Sequence, residues 1–64
     1  MVICDLYKVI NNDHPVVIID RRLEKIVFEG IANHIPADYM PRLIDHIGIG
    51  YNRNRSLLLT IEIW

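Results

Sequence analysis

Disulfides within the chain are excluded by a shortage of cysteine, since Cys4 is the only cysteine among 64 residues. Small secreted domains commonly use several disulfides to reinforce a core that is too small to hold the fold alone. The sequence therefore predicts a protein of a reducing compartment, and we expect it to be cytoplasmic.

Long apolar segments and an excess of positive charge are also missing. No wholly apolar run exceeds four residues, as in Val16–Ile19, whereas a membrane-spanning helix needs about 20. The opening MVICDLYKVI has no basic start followed by a long apolar core and a cleavage site, so no signal peptide is predicted. The formal net charge is −1, which does not favour general attraction to nucleic acid. We expect no membrane partner and do not favour a nucleic-acid partner.

Clusters of catalytic or metal-binding residues are missing as well. The three histidines, His14, His34 and His46, do not have the spacing of a metal pair. Cys4 and Ser56 are the only thiol and the only serine, and neither has a base at motif spacing. The acidic residues are spread evenly, so no acid–base pair stands out. The sequence predicts no metal, no cofactor and no enzymatic activity.

Apolar residues are plentiful, at 52% of the chain against 23% charged. This composition is typical of a globular domain, and the length predicts a single domain over residues 1–64. A domain of this size buries only about 60% of the surface that its unfolded chain exposes. Self-association is a common way to add core, and homodimers are its commonest form. We therefore predict a homodimer.

Alternating apolar residues predict two hairpins. The period is two in SLLLTIEIW and in HIGIGY, as in strands with one buried face. Between them lie Asn52 and Asn54, which tolerate the left-handed backbone of hairpin turns. In the first half, PVVIID has the composition of a central strand covered on both faces, and KIVFEGIA alternates. The polar connection over residues 20–24 has hairpin length.

Each predicted hairpin follows a short stretch with helical character. In ICDLYKVINND the apolar residues lie on one helix face, although residues 2–4 could instead form a short strand. In IPADYMPRLID, Pro36 suits a first helical turn, and Pro41 disfavours helical geometry at Met40. The predicted fold is α+β, in the order αββαββ, with a four-stranded antiparallel sheet and two short helices on one face. The residues predicted to be buried on that face are Ile26, Phe28, Ile47, Ile49, Leu57, Leu59, Ile61 and Ile63.

Candidate partner-binding residues lie in three places. Leu58 and Trp64 are predicted on the sheet face away from the helices, where a second copy or another protein could pack. Tyr39 and Met40 form a candidate binding loop if their side chains point outward. Arginines at the hairpin tips would gather at one end of the sheet if the two hairpins pointed the same way, and would then suit phosphate or an acidic protein surface. These arginines are Arg21, Arg22, Arg53 and Arg55.

Four segments, DLYKVI, VVIID, FEGIANHIPADYM and LLLTIEIW, resemble small proteins encoded by phages and prophages of gram-positive bacteria. Some small phage accessory proteins block host defence by binding a host protein or nucleic-acid complex. The resemblance carries over no functional residue, and Pro41 and the arginine-rich tip depart from its pattern. We therefore expect a binding protein that acts on a host protein or protein complex in the bacterial cytoplasm. The alternative is a small nucleic-acid-binding module that uses the four arginines.

Overall fold

The computed structural model describes residues 1–51 and 53–64, which form one four-stranded sheet with a thin covering layer. The elements in chain order are helix α1 (Ile3–Tyr7), strand β1 (Pro15–Asp20), strand β2 (Lys25–Ile31), two 3-10 turns (Ala32–His34 and Ala37–Tyr39), strand β3 (Ile44–Tyr51) and strand β4 (Leu57–Ile63).

Both predicted hairpins are confirmed. β1 pairs with β2 and β3 pairs with β4, each antiparallel. Each connection contains a residue with left-handed backbone, Glu24 with φ 53° and Arg55 with φ 61°. Neither is a glycine or an asparagine, the residues that adopt this conformation most readily. Asn52, predicted as part of the second turn, lies outside the described residues.

The predicted wholly antiparallel sheet is wrong, because the two hairpins join through a parallel pair. The strand order is β2-β1-β4-β3, and β1 runs parallel to β4 from Val16 opposite Leu59 to Asp20 opposite Ile63. Residues 32–43 carry the chain from one edge of the sheet, β2, to the other edge, β3. The join places the two most apolar strands at the centre, where both faces are shielded best. The prediction that PVVIID is a central strand is confirmed.

The predicted first helix is shorter than its apolar spacing suggests. α1 ends at Tyr7, and a single turn follows in which the amide of Val9 donates to the carbonyl of Leu6 at 3.0 Å. β-branched residues such as Val9 lower helix propensity. The amino-terminal amides of α1 are satisfied from outside the helix, since those of Ile3 and Cys4 donate to the carbonyls of Arg42 and Met40.

The predicted second helix is wrong and is replaced by the 3-10 turn Ala37–Tyr39. Pro36 lies at its amino-terminal boundary, as predicted. Pro41 prevents the helical hydrogen bond that a longer helix would need from that residue. The covering layer is therefore one five-residue helix and two single turns, which is less than the two helices of the predicted fold.

The core lies between this layer and one face of the sheet. Its buried residues are Ile3, Val16, Ile18, Ala32, Ile35, Ile61 and Ile63. Of the residues predicted to be buried, Ile61 and Ile63 are, whereas Phe28, Ile47 and Leu59 are half-buried.

Three residues predicted to be buried are exposed, namely Ile26, Ile49 and Leu57. A register shift between Ile18 and Ile19 places Ile26 opposite Ile19, on the face away from α1. Ile49 and Leu57 lie at the end of the sheet that the thin covering layer does not reach. We call the sheet face away from α1 the open face.

Candidate protein-interaction surface

A buried carboxylate fixes the tip of the β1–β2 hairpin. Asp20 is only 4% exposed. One of its oxygens accepts hydrogen bonds from the amides of Arg22 at 2.8 Å and Leu23 at 3.2 Å, and its other oxygen lies 3.2 Å from Nη2 of Arg42. Because the amides belong to the hairpin tip and Arg42 precedes β3, this carboxylate joins the two halves of the fold.

The environment of Asp20 stabilises its charged form. Burial alone raises the pKa of Asp20. The amides of Leu23 and Arg22 and the Arg42 guanidinium outweigh that effect and hold the pKa below its ordinary value. Asp20 is therefore a structural anion whose hydrogen bonds are used within the fold.

Arg21 crosses the open face from the hairpin tip. Its amide donates to the carbonyl of Ile63 at 2.9 Å. Its Nη1 lies 3.2 Å from Oδ2 of Asp45 and 3.7 Å from Oε1 of Glu62, and the side chain stays half exposed. One guanidinium therefore connects β1, β3 and β4 and leaves part of its surface open to a partner.

A cleft of about 330 Å³ opens beside Arg21. Its lining residues are Arg21, Leu43, Ile44, Asp45 and Trp64, and we call it the Trp64 cleft. Backbone hydrogen bonds hold its walls, because the amide of Trp64 donates to the carbonyl of Leu43 at 3.2 Å and the amide of Ile44 donates to the carbonyl of Met1 at 2.9 Å. The indole of Trp64 is exposed, so the cleft presents an aromatic ring on a fixed backbone.

Five of the nine exposed large apolar side chains of the described residues lie on the second hairpin and its flanks, namely Leu43, Ile49, Tyr51, Leu57 and Trp64. Leu43 and Trp64 lie at one end of the β3–β4 pair, and Tyr51 and Leu57 lie at the other. Single exposed apolar residues are ordinary, whereas adjacent ones such as Leu43 and Trp64 mark an interaction surface. Trp64 and Arg21 also belong to the residue types that contribute most to protein interfaces.

The charged groups of this surface form ion pairs with one another. The carboxylates of Asp45 and Glu62 are both within ion-pair distance of Arg21, and Glu62 lies opposite His46 in the β3–β4 pair. The part of the chain that the structure describes holds no group of three or more metal-ligating side chains. Exposed apolar side chains beside a guanidinium suit the binding of a protein surface.

A second cavity, of about 550 Å³, lies at the other end of the sheet. Its lining residues are Glu29, Tyr51, Arg53, Asn54 and Leu58. Glu29 and Leu58 belong to the open face, because they lie opposite Val17 and Gly50 and alternate with residues of the core face. This cavity is more polar than the Trp64 cleft, since three of its five lining residues are charged or carry an amide.

The structure brings some of the predicted site residues together and separates others. Arg21 and Trp64 share the Trp64 cleft, and Arg53 and Leu58 share the second cavity. Arg22 and Arg55 are exposed at the tips and line neither cavity. Tyr39 and Met40 were predicted to form a binding loop only if their side chains pointed outward. Both side chains pack against the core cluster, so this condition is not met.

The four tip arginines do not gather. Because β1 is parallel to β4, the tip with Arg21 and Arg22 lies at the carboxyl end of β4, and the tip with Arg53 and Arg55 lies at its amino end. The hairpins point in opposite directions, and the sheet separates the two arginine pairs.

Sequence reasoning missed three residues of the Trp64 cleft, namely Leu43, Ile44 and Asp45. Leu43 stands just before β3, outside any alternating pattern, and its position beside Trp64 follows from the pairing of Ile44 with Ile63. The only signal in the sequence is an apolar residue in the segment after Pro41, which does not by itself distinguish a core residue from an exposed one.

Comparisons of the chain with protein-family models, with curated proteins and with solved structures found no match. No helix in the described residues is long and apolar enough to cross a membrane.

Proposed function

We propose that this chain is a non-enzymatic binding protein of the phage accessory type, which inhibits or modulates a host defence factor through protein–protein contact. The observation that carries the proposal is the Trp64 cleft, where an exposed indole, an exposed leucine and a half-exposed guanidinium lie on backbone held by hydrogen bonds. A partner that inserts an apolar side chain between Leu43 and Trp64 removes both from water, while Arg21 offers a charged edge to the contact. The phage origin and the host target rest on the sequence resemblance alone.

The nucleic-acid alternative receives less support from the geometry. Its four arginines lie in two pairs at opposite ends of the sheet, and Arg21 already faces two carboxylates. A phosphate backbone that bound one pair would leave the other without a contact. Binding that weakens steeply with added salt, and that is lost on charge reversal of Arg53 and Arg55, would favour this alternative.

Affinity purification from the bacterium that carries the protein tests the proposal. Leu43→Ser removes an apolar wall of the cleft, and Leu23→Ser is a matched control, because both leucines are 58% exposed and only Leu43 lines the cleft. We expect a host protein that is retained by the wild type and by Leu23→Ser and is lost with Leu43→Ser. Equal retention by all three, or recovery of nucleic acid without protein, would contradict the proposal.

A further inference from the structure

The outer edge of β3 is open along most of its length. In the order β2-β1-β4-β3, both β2 and β3 are edge strands. The first residues of the chain cover only the beginning of the β3 edge, through the bridge between Val2 and Leu43 and the bond from Ile44 to Met1. Beyond this point no other strand of the described residues pairs with the edge, so the backbone donors and acceptors of alternate residues between Ile47 and Tyr51 face solvent there.

The two edges differ in their protection. β2 carries Lys25 and Glu29, and its pairing is interrupted by the register shift between Ile26 and Phe28. Charged side chains and bulges of this kind prevent an edge from pairing with another chain. β3 has its charged residue, Asp45, and its bulge only at its beginning. From Ile47 to Tyr51, IGIGY, it has no charge, no proline and a regular register against β4.

No contact among the described residues requires glycine at Gly48 or Gly50 of β3. Neither Gly48 nor Gly50 has a positive φ, and no atom of residues 1–51 and 53–64 lies within 4 Å of the place that a Cβ would occupy at either residue. Glycine weakens a strand, and it often marks a place where another backbone approaches closely. Both glycines lie on the strand whose edge is free.

We propose that two copies of this chain pair through β3, antiparallel, to form one continuous eight-stranded sheet. The two-fold axis passes between the two copies of Ile49, a residue that is 75% exposed and would lie opposite its own counterpart. This goes beyond the binding of a host protein proposed above and does not depend on it.

The symmetry and the extent of the regular stretch of β3 together select this register. Opposite residues of an antiparallel pair lie on the same face of the sheet, so a two-fold axis perpendicular to the sheet must pass between the two copies of one residue. Ile49 is the centre of the regular stretch from Ile47 to Tyr51, which therefore pairs with itself over its whole length. This register places Ile47 opposite Tyr51 of the second copy, which is a favourable β-branched and aromatic pair.

The neighbouring registers are less suitable. A two-fold axis at Gly48 puts Tyr51 of the second copy opposite the bulge at Asp45, and a two-fold axis at Gly50 puts Ile47 beyond the end of β3 of the second copy. A two-fold axis at Ile47 brings Gly50 of the second copy against Ile44, whose amide is already used by Met1.

The mass in solution, measured by sedimentation or light scattering over a range of concentrations, tests the pairing. We expect the wild type to approach twice the chain mass of 7.5 kDa. Ile49→Lys brings two ammonium groups together at the two-fold axis and should leave a monomer. Ile26→Lys is the matched control on the other edge, at an isoleucine that is 55% exposed, and should remain dimeric. Circular dichroism checks that both variants are folded. A wild type that stays monomeric, or an Ile49→Lys variant that stays dimeric, would overturn the proposal.

Disulfide formation between copies tests the register. In a Cys4→Ser background, Ile49→Cys should form a disulfide between copies. Ile47→Cys should not, because its two copies would lie at least about 13 Å apart. Cross-linking through position 47 instead of 49 would overturn this register.

Discussion

At the residue scale, Asp20 is the polar side chain on which the fold most depends. It is buried, it accepts two amide hydrogen bonds at the hairpin tip, and it pairs with Arg42 from the segment before β3. Removing the carboxylate leaves the two amides without their acceptor and the Arg42 guanidinium with only its longer hydrogen bond, of 3.5 Å, to the carbonyl of Trp64, and the loss of such hydrogen bonds is costly.

Asp20 predicts a specific dependence of stability on pH. The pKa of Asp20 is lower in the folded chain than the ordinary value of about 3.9 expected in the unfolded chain. The carboxylate therefore adds stability above about pH 4, and this contribution is lost as the pH falls through the folded pKa. Asp20→Asn should be less stable than the wild type at pH 7 and should lose less stability on acidification. Urea unfolding at a series of pH values measures both, with the exposed Asp38→Asn as control. Parallel pH profiles for wild type and Asp20→Asn would contradict this account.

Phe28 contributes to the core from an edge strand. It pairs with Ile18, packs against the core cluster, and its ring lies over Gly30, where a Cβ would approach Cζ to 3.2 Å. We expect Phe28→Ala to lower the free energy of unfolding by about 3 kcal/mol. Pro41→Ala, at an exposed position of the connecting segment, should lower it by less than about 1 kcal/mol. Equilibrium unfolding gives the order, and a larger loss at Pro41 would show that the connection limits stability more than the core does.

At the element scale, α1 contributes most through Ile3, which is fully buried. Leu6 and Tyr7 pack against the core cluster and are partly buried, and the amides of the first turn are held by the segment before β3. Val9, predicted to lie on the same helix face, is exposed beyond the end of α1. The fully buried contact of the helix therefore lies at its amino-terminal end.

Two truncations test this description of α1. Ile3→Ala should lower the free energy of unfolding by about 2–5 kcal/mol, because it opens a cavity in the core. Val9→Ala should change it by no more than about 0.5 kcal/mol, since the side chain is in solvent. Thermal unfolding of the two variants provides the comparison, and similar losses would indicate a helix that extends past Tyr7.

The strands were predictable from sequence, whereas their order was not. The alternation in HIGIGY and SLLLTIEIW reports which face of each strand is apolar, and this is a local property of the sequence. The two segments form the β3–β4 pair as the alternation predicted. The join between hairpins is decided by contacts far apart in sequence, because several joins bury the same faces. The apolar spacing predicted a longer first helix, but α1 ends at Tyr7 because the β-branched residues that follow lower helix propensity. The Trp64 cleft depends on the pairing of Ile44 with Ile63, so it could not be predicted before the topology was known.

At the scale of the whole molecule, the thin covering layer links the fold to its surface chemistry. One short helix and two single turns cover part of the sheet, and exposed apolar residues remain along the β3–β4 hairpin. A small domain with this deficit gains stability from whatever covers them. The partner binding and the self-association that we propose would use two parts of one uncovered hairpin, the Trp64 cleft and the β3 edge.

The dissociation constant of the purified host partner, measured by calorimetry for the wild type and for Trp64→Ala, tests the central proposal most directly. Trp64 is an exposed aromatic at the wall of the cleft, and truncation of such residues at interfaces costs about 2 kcal/mol or more. We therefore predict binding at least about 30-fold weaker for Trp64→Ala, with Leu23→Ser binding as tightly as the wild type. Equal affinity for the wild type and Trp64→Ala would show that the partner binds elsewhere and would contradict the proposed role of the cleft.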